Sequence, residues 1–112
     1  MTDDRFDPPL ARAFPHSTRL RVAGALADAP ESGLGATELT DHADVGRATF
    51  YDHREELVEI GVMETVEGEG ATRYRLADTE VARTVERLND AVGDRLATGD
   101  REFADALTDF RT

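Results

Sequence analysis

The segment ATELTDHADVGRATFYDHREELVEIG, residues 36–61, constrains this chain more than any other stretch. It holds two helical hydrophobic patterns with very few residues between them. The first spans roughly 36–42, with Leu39 and Ala43 as inward positions; the second covers 46–60 and sets Phe50, Leu57 and Ile60 on a shared face. Asp44 tolerates the left-handed backbone of a tight turn better than most non-glycine residues, Gly46 suits the N-cap that follows, and Gly61 is placed to end the second helix. The spacing predicts a helix-turn-helix.

The period then changes from helical to alternating. In VMETVEGEGATRYRLA, residues 62–77, Val62, Glu64 and Val66 fall on one face; after the turn EGEG, Tyr74 and Leu76 point inward while Arg73 and Arg75 point out. That is a two-stranded hairpin. Upstream, STRLRVAGALADAP predicts a helix with Ser17 as N-cap and Leu20, Ala23, Leu26 and Ala27 on one face, stopped at Pro30. ESGLG is then a glycine-punctuated connection in which Leu34 reaches the core. Residues 1–16 hold Pro8, Pro9 and Pro15 and read as an arm with one helical turn at LARAF. Downstream, DTEVARTVERLNDAVGDRL predicts a capped amphipathic helix striped by Val81, Val85, Leu88 and Val92. Gly99 interrupts it, and Phe103, Leu107 and Phe110 form a last short stripe. The expected organisation is an N-terminal arm (1–16), a winged helix-turn-helix domain (17–77) and a C-terminal helical dimerisation segment (78–112). The fold class is mainly α with a small β-hairpin.

At 112 residues and 39% hydrophobic content the chain supports one core. No apolar run approaches a membrane span, and the acidic start MTDDRFDPPL lacks the basic-then-apolar layout of a signal peptide, so a cytoplasmic protein without membrane contact is expected. The absence of Cys excludes disulfides, thiolate metal sites and thiol nucleophiles. His16, His42 and His53 lie in separate elements without metal-ligand spacing, and the carboxylates are scattered, so neither catalysis nor a metal nor another cofactor is expected. Carboxylates number 24 against 13 basic residues, all arginine, for a net charge of -11. Lysine depletion also fits a GC-rich genome. Only adaptation to multimolar salt, where dense surface carboxylate keeps a protein hydrated, accounts for the charge as well, and a halophilic source is expected.

From about residue 19 to 77 the chain resembles the winged-helix regulators of the ArsR and MarR type, and more closely the small winged-helix proteins that haloarchaea carry in large numbers. The pieces that carry the resemblance are TRLRVAGAL as first core helix, ATELTDHADVGRATFYDHREELVEIGVM as helix-turn-helix and GEGATRYRLAD as wing. It implies a transcription regulator whose partner is double-stranded DNA, with helix 46–60 in the major groove and the wing on the backbone or minor groove. Setting Phe50 and Leu57 inward puts Ala48, Tyr51 and Asp52 on the opposite side, with Arg47 beside them near the helix start. Arg47 then suits guanine or phosphate, Thr49 and Tyr51 phosphate, Ala48 a thymine methyl, and Asp52 a cytosine amino group or solvent. Thr37 and Thr40 would position the DNA backbone, and Arg73 and Arg75 would serve the minor groove or phosphates. Arg54 stands where the family usually has leucine; its stem is expected on the core edge with its guanidinium on a carboxylate or the DNA backbone. His53 is expected to be a hydrogen-bonding structural residue. The metal-sensing ArsR proteins bring cysteines or an Asp/His set that this chain lacks.

Charge opposes this picture locally. Residues 36–77 carry ten carboxylates against four arginines, so the usual basic footprint is missing. In multimolar salt the Debye length falls to roughly 3 Å or less, and binding would rest on shape and close arginine contacts, with potassium ions bridging carboxylate and phosphate. The alternative is a winged-helix module that binds protein and not DNA. For either, the stripe Val81, Val85, Leu88 and Val92, with Leu10, Phe14, Phe103 and Phe110, is expected to form a homodimer interface.

Overall fold

The patterns above fold around one core in the computed structural model, which describes residues 7–68 and 70–109. The element order is α1 (Pro9–Ala13), α2 (Ser17–Asp28), β1 (Leu34–Gly35), α3 (Ala36–Ala43), α4 (Arg47–Glu59), β2 (Met63–Val66), β3 (Arg73–Leu76), α5 (Glu80–Ala97) and α6 (Arg101–Asp109). The core takes Val22, Ala23, Ala25 and Leu26 from α2, Leu39 and Ala43 from α3, and Phe50 and Leu57 from α4. Val62, Met63 and Tyr74 close it from the sheet. Each large side chain buried here contributes about 1.5–3 kcal/mol. Among the described residues no helix is long and apolar enough to cross a membrane.

The helix-turn-helix forms as its sequence dictates. Gly35 is the N-cap of α3, and the Glu38 carboxylate reaches back to accept from the Gly35 amide at 3.1 Å. Asp44 adopts the left-handed region at φ 57°, and its turn feeds Gly46, the N-cap of α4. Gly61 at φ 82° reverses the chain into β2, and the Thr79 hydroxyl donates to its carbonyl while accepting from the Ala82 amide at 3.1 Å. Thr79 therefore caps α5 and staples its start to the end of α4.

Two elements, α2 and the sheet, depart from expectation. α2 begins at Ser17, so the N-cap is His16, which provides no side-chain cap bond. Its inward face also differs: Val22, Ala23, Ala25 and Leu26 are buried, whereas Leu20 is 53% exposed. Second, the sheet has three strands in the order β1-β3-β2, all antiparallel, rather than two. Leu34 pairs with Tyr74 and Gly35 with Arg73. A two-residue strand is too short to show alternation, so it reads as connection. What holds it is Gly33, at φ 82°: a Cβ there would sit 2.5 Å from the Tyr74 carbonyl oxygen, closer than any side chain tolerates.

Candidate nucleic-acid interface

The first two turns of α4 present Arg47, Ala48, Thr49, Tyr51 and Asp52 to solvent while Phe50 is fully buried beneath them. Phe50 packs edge-on against Tyr74 of β3, with ring centroids 5.1 Å apart, which fixes the roll of α4 on the sheet. Arg47 donates to the Thr37 hydroxyl at 3.2 Å, so an exposed residue from each helix of the pair meets at the helix start. The expected outward orientation of Ala48, Tyr51 and Asp52 is what the burial pattern gives.

Thr40 is a correction. It is 3% exposed and its hydroxyl donates back to the Ala36 carbonyl at 2.9 Å, so it serves α3 and is closed to an outside partner. Arg54 is half-buried, and its guanidinium is held within the chain by two tyrosines. It donates to the Tyr74 hydroxyl at 3.4 Å and lies 5.3 Å over the Tyr51 ring. The Tyr74 hydrogen bond raises the guanidinium pKa above its ordinary value.

The wing arginines point away from Tyr74 as expected and already have partners within the chain. Both alternate with Tyr74, whose ring meets α4, so Arg73 and Arg75 leave the sheet on its other face. Arg73 donates to the carbonyls of Ser32 at 3.1 Å and Gly33 at 2.6 Å and pairs with Glu38 at 3.7 Å, which makes it the clamp of β1. Arg75 pairs across the strands with Glu64 at 3.4 Å and borders a hollow of about 320 Å³ beside Leu26, Pro30 and Glu86. The wing turn itself, residues 67–72, has two glutamates and no arginine.

Between α4 and the wing runs an open cleft of about 560 Å³ lined by Arg54, Glu55, Val58, Glu59, Thr65, Glu67 and Thr72. The sequence reading missed it because its residues come from two elements and carry no motif. Another connection without a signal in sequence is centred on Asp28 at the end of α2. Its carboxylate accepts from Asn89 of α5 at 2.9 Å and meets His42 of α3 at 3.4 Å, tying both helices to one residue. His53 accepts from Arg19 at 3.2 Å through Nδ1, a structural bond between α4 and α2. Among the described residues no group of three or more His, Asp or Glu is disposed to hold a metal ion.

On the terminal elements, Leu10 is 69% and Leu88 59% exposed, with Val81, Leu96 and Leu107 also open. Phe14 and Val85 instead pack partly on the core, and Val92 is half-buried. Phe103 is covered by the Arg95 guanidinium at 4.2 Å, and Phe110 lies outside the described residues. The stripe therefore divides, with one edge serving this chain's own core and the other facing outward.

No family model matches the sequence, and no curated protein matches it. Solved structures do. The transcriptional repressor BigR from Xylella fastidiosa superposes with a TM-score of 0.63 at 24% identity, over 73% of this chain and 78% of that one. A protein from E. coli described as a predicted DNA-binding transcriptional regulator gives 0.60 at 21% identity, over 73% and 84%. Element order, sheet order and these superpositions agree that the chain has the winged helix-turn-helix fold with added C-terminal helices.

Proposed function

We propose that this protein is a sequence-specific DNA-binding transcription regulator, not an enzyme, that works as a homodimer in the cytoplasm of a halophilic archaeon. The observation that carries the reading is the exposed set Arg47, Ala48, Thr49, Tyr51 and Asp52 on the first two turns of α4, backed by buried Phe50. This end of α4 enters the major groove, Arg47 reads guanine or holds a phosphate, and Thr37 steadies Arg47 from α3. The superposed repressor and regulator support the same use of the fold. The wing approaches the DNA backbone with potassium ions between its acidic turn and the phosphates, since Arg73 and Arg75 are engaged elsewhere. The open faces of Leu10, Leu88, Leu96 and Leu107 are where the second copy packs. The lysine-free, strongly acidic composition supports the halophilic source, and potassium ions bridge helix carboxylates to phosphates.

Selection of duplexes from a random library in concentrated KCl, followed by titration of enriched and scrambled sequences, tests the reading. Enrichment of one motif with half-site symmetry is expected; equal affinity for both sequences overturns it.

A further inference from the structure

The cleft between α4 and the wing is an odd place for a phosphate. Glu55 and Glu59 rise from α4 and Glu67 from the wing, and none of them forms an ion pair with any described residue. Arg54, the one cation among the described residues that line it, is turned onto the Tyr74 hydroxyl and the Tyr51 ring. Between the carboxylates lies Val58, a branched apolar side chain that the described residues leave 44% exposed. The cleft thus combines a concave shape, an apolar spot and a rim of unpaired negative charge.

We propose that this cleft docks a cationic segment of another protein, an extended stretch in which arginines or lysines flank one aliphatic residue. The aliphatic residue covers Val58 and the flanking cations meet Glu55, Glu59 and Glu67. The open cleft, about 560 Å³, has room for a few side chains of a partner segment laid along it. In concentrated salt such charges act only in contact, where they set partner choice, and the desolvated apolar contact supplies the anchoring. The inference goes beyond the DNA reading and does not depend on it.

The probes are three fluorescein-labelled peptides, Gly-Arg-Arg-Leu-Arg-Arg-Gly, its Leu-to-Ser counterpart, and Gly-Glu-Glu-Leu-Glu-Glu-Gly, titrated by anisotropy with the full chain at low and high KCl. The leucine peptide should bind about fivefold or more tighter than the serine peptide, and the acidic peptide should not bind. Glu55→Gln with Glu59→Gln should weaken the leucine peptide about tenfold, while Asp90→Asn with Asp94→Asn, the same charge change on α5, should alter it less than about twofold. Equal weakening by both pairs means diffuse attraction to an acidic protein and overturns the proposal, as does equal affinity for leucine and serine peptides. If the α4 pair loses its helical circular dichroism, Glu67→Gln on the wing takes its place. Titrating the same proteins with the selected duplex separates the two readings, because peptide binding without DNA binding sinks only the latter.

Discussion

Arg54 of α4 donates to the hydroxyl of Tyr74 on β3, so a charged residue at the core edge ties the second helix of the pair to the wing. Tyr74 is otherwise buried, and its hydroxyl has this guanidinium as its described partner. Tyr74→Phe should cost about 1 kcal/mol, at the low end for a bond to a charged donor because it is long and half-exposed. Arg54→Leu with Tyr74→Phe should recover much of that loss by replacing both polar partners with apolar ones. Urea unfolding at fixed KCl measures both, and additive losses would show that the two groups are not coupled.

Arg47 and Arg73 should separate cleanly. Arg73→Ala removes the clamp on the Ser32 and Gly33 carbonyls and should cost about 1–2 kcal/mol of stability with little change in DNA specificity. Arg47→Ala removes an exposed bond to Thr37 and should leave the unfolding midpoint nearly unchanged while weakening specific DNA binding by about 1–3 kcal/mol. Matching effects on stability and affinity from both changes would contradict the assigned roles.

Light scattering in concentrated KCl should give a dimer for the wild type and a monomer for Leu88→Glu, because Leu88 is the most exposed large apolar residue of α5. Val85→Glu should instead unfold the protein, since Val85 packs on this chain's own core. A monomeric wild type removes the homodimer from the proposed function.

Salt should act opposite to its usual effect on protein–DNA complexes. Asp52 and Glu55 face outward from α4, so complex formation takes up cations between carboxylate and phosphate and offsets the release caused by Arg47. The logarithm of affinity should stay flat or rise with the logarithm of KCl concentration. Asp52→Asn with Glu55→Gln should turn the slope negative and improve binding in dilute salt, provided the sample stays folded. A steep negative slope for the wild type would rule out cation bridging.

Acid should loosen the C-terminal helices. Arg95 donates to Asp100 at 2.6 Å where α5 turns into α6, and Arg87 donates to Glu80 at 3.2 Å in the first turn of α5. Each arginine hydrogen bond holds its carboxyl pKa below the ordinary value. A depressed folded-state pKa gives stability that is present above the unfolded-state pKa and lost as pH falls through the folded one. Below about pH 4 the helicity of this segment should decline, and Asp100→Asn should be less stable than wild type at neutral pH but equal to it in acid. Circular dichroism across the pH range checks the difference, which will be small because both groups are exposed.

The helix-turn-helix was legible because each of its devices is local: Leu39 and Ala43 repeat at four, Asp44 takes the turn, Gly46 starts α4 and Gly61 stops it. Tyr74 was legible as an inward residue by alternation. Arg73 was not legible as a clamp, because its partners at Ser32 and Gly33 are backbone carbonyls far away in sequence, and nothing in side-chain pattern marks a carbonyl acceptor. Leu20 misled for a related reason: periodicity places it near the inward face, but which edge of a helix is covered depends on what packs there. Thr40 could have been placed by its spacing, since a threonine hydroxyl four residues after Ala36 commonly bonds back to that carbonyl.

The strand β1 has a consequence for how the chain is made. Among the described residues it pairs with β3 alone, which is synthesised after both α3 and α4, whereas β2 and β3 are neighbours in sequence. A nascent chain that has emerged through α4 therefore carries a finished helical pair but an incomplete sheet, with Leu34 and Gly35 waiting as an open edge. Closing that edge is the longest-range step among the strand pairings, the kind that topology makes slow. Any truncation upstream of Tyr74 leaves the helix pair without the strand that locks it and β1 without a mate, so the wing is the last stitch of the domain.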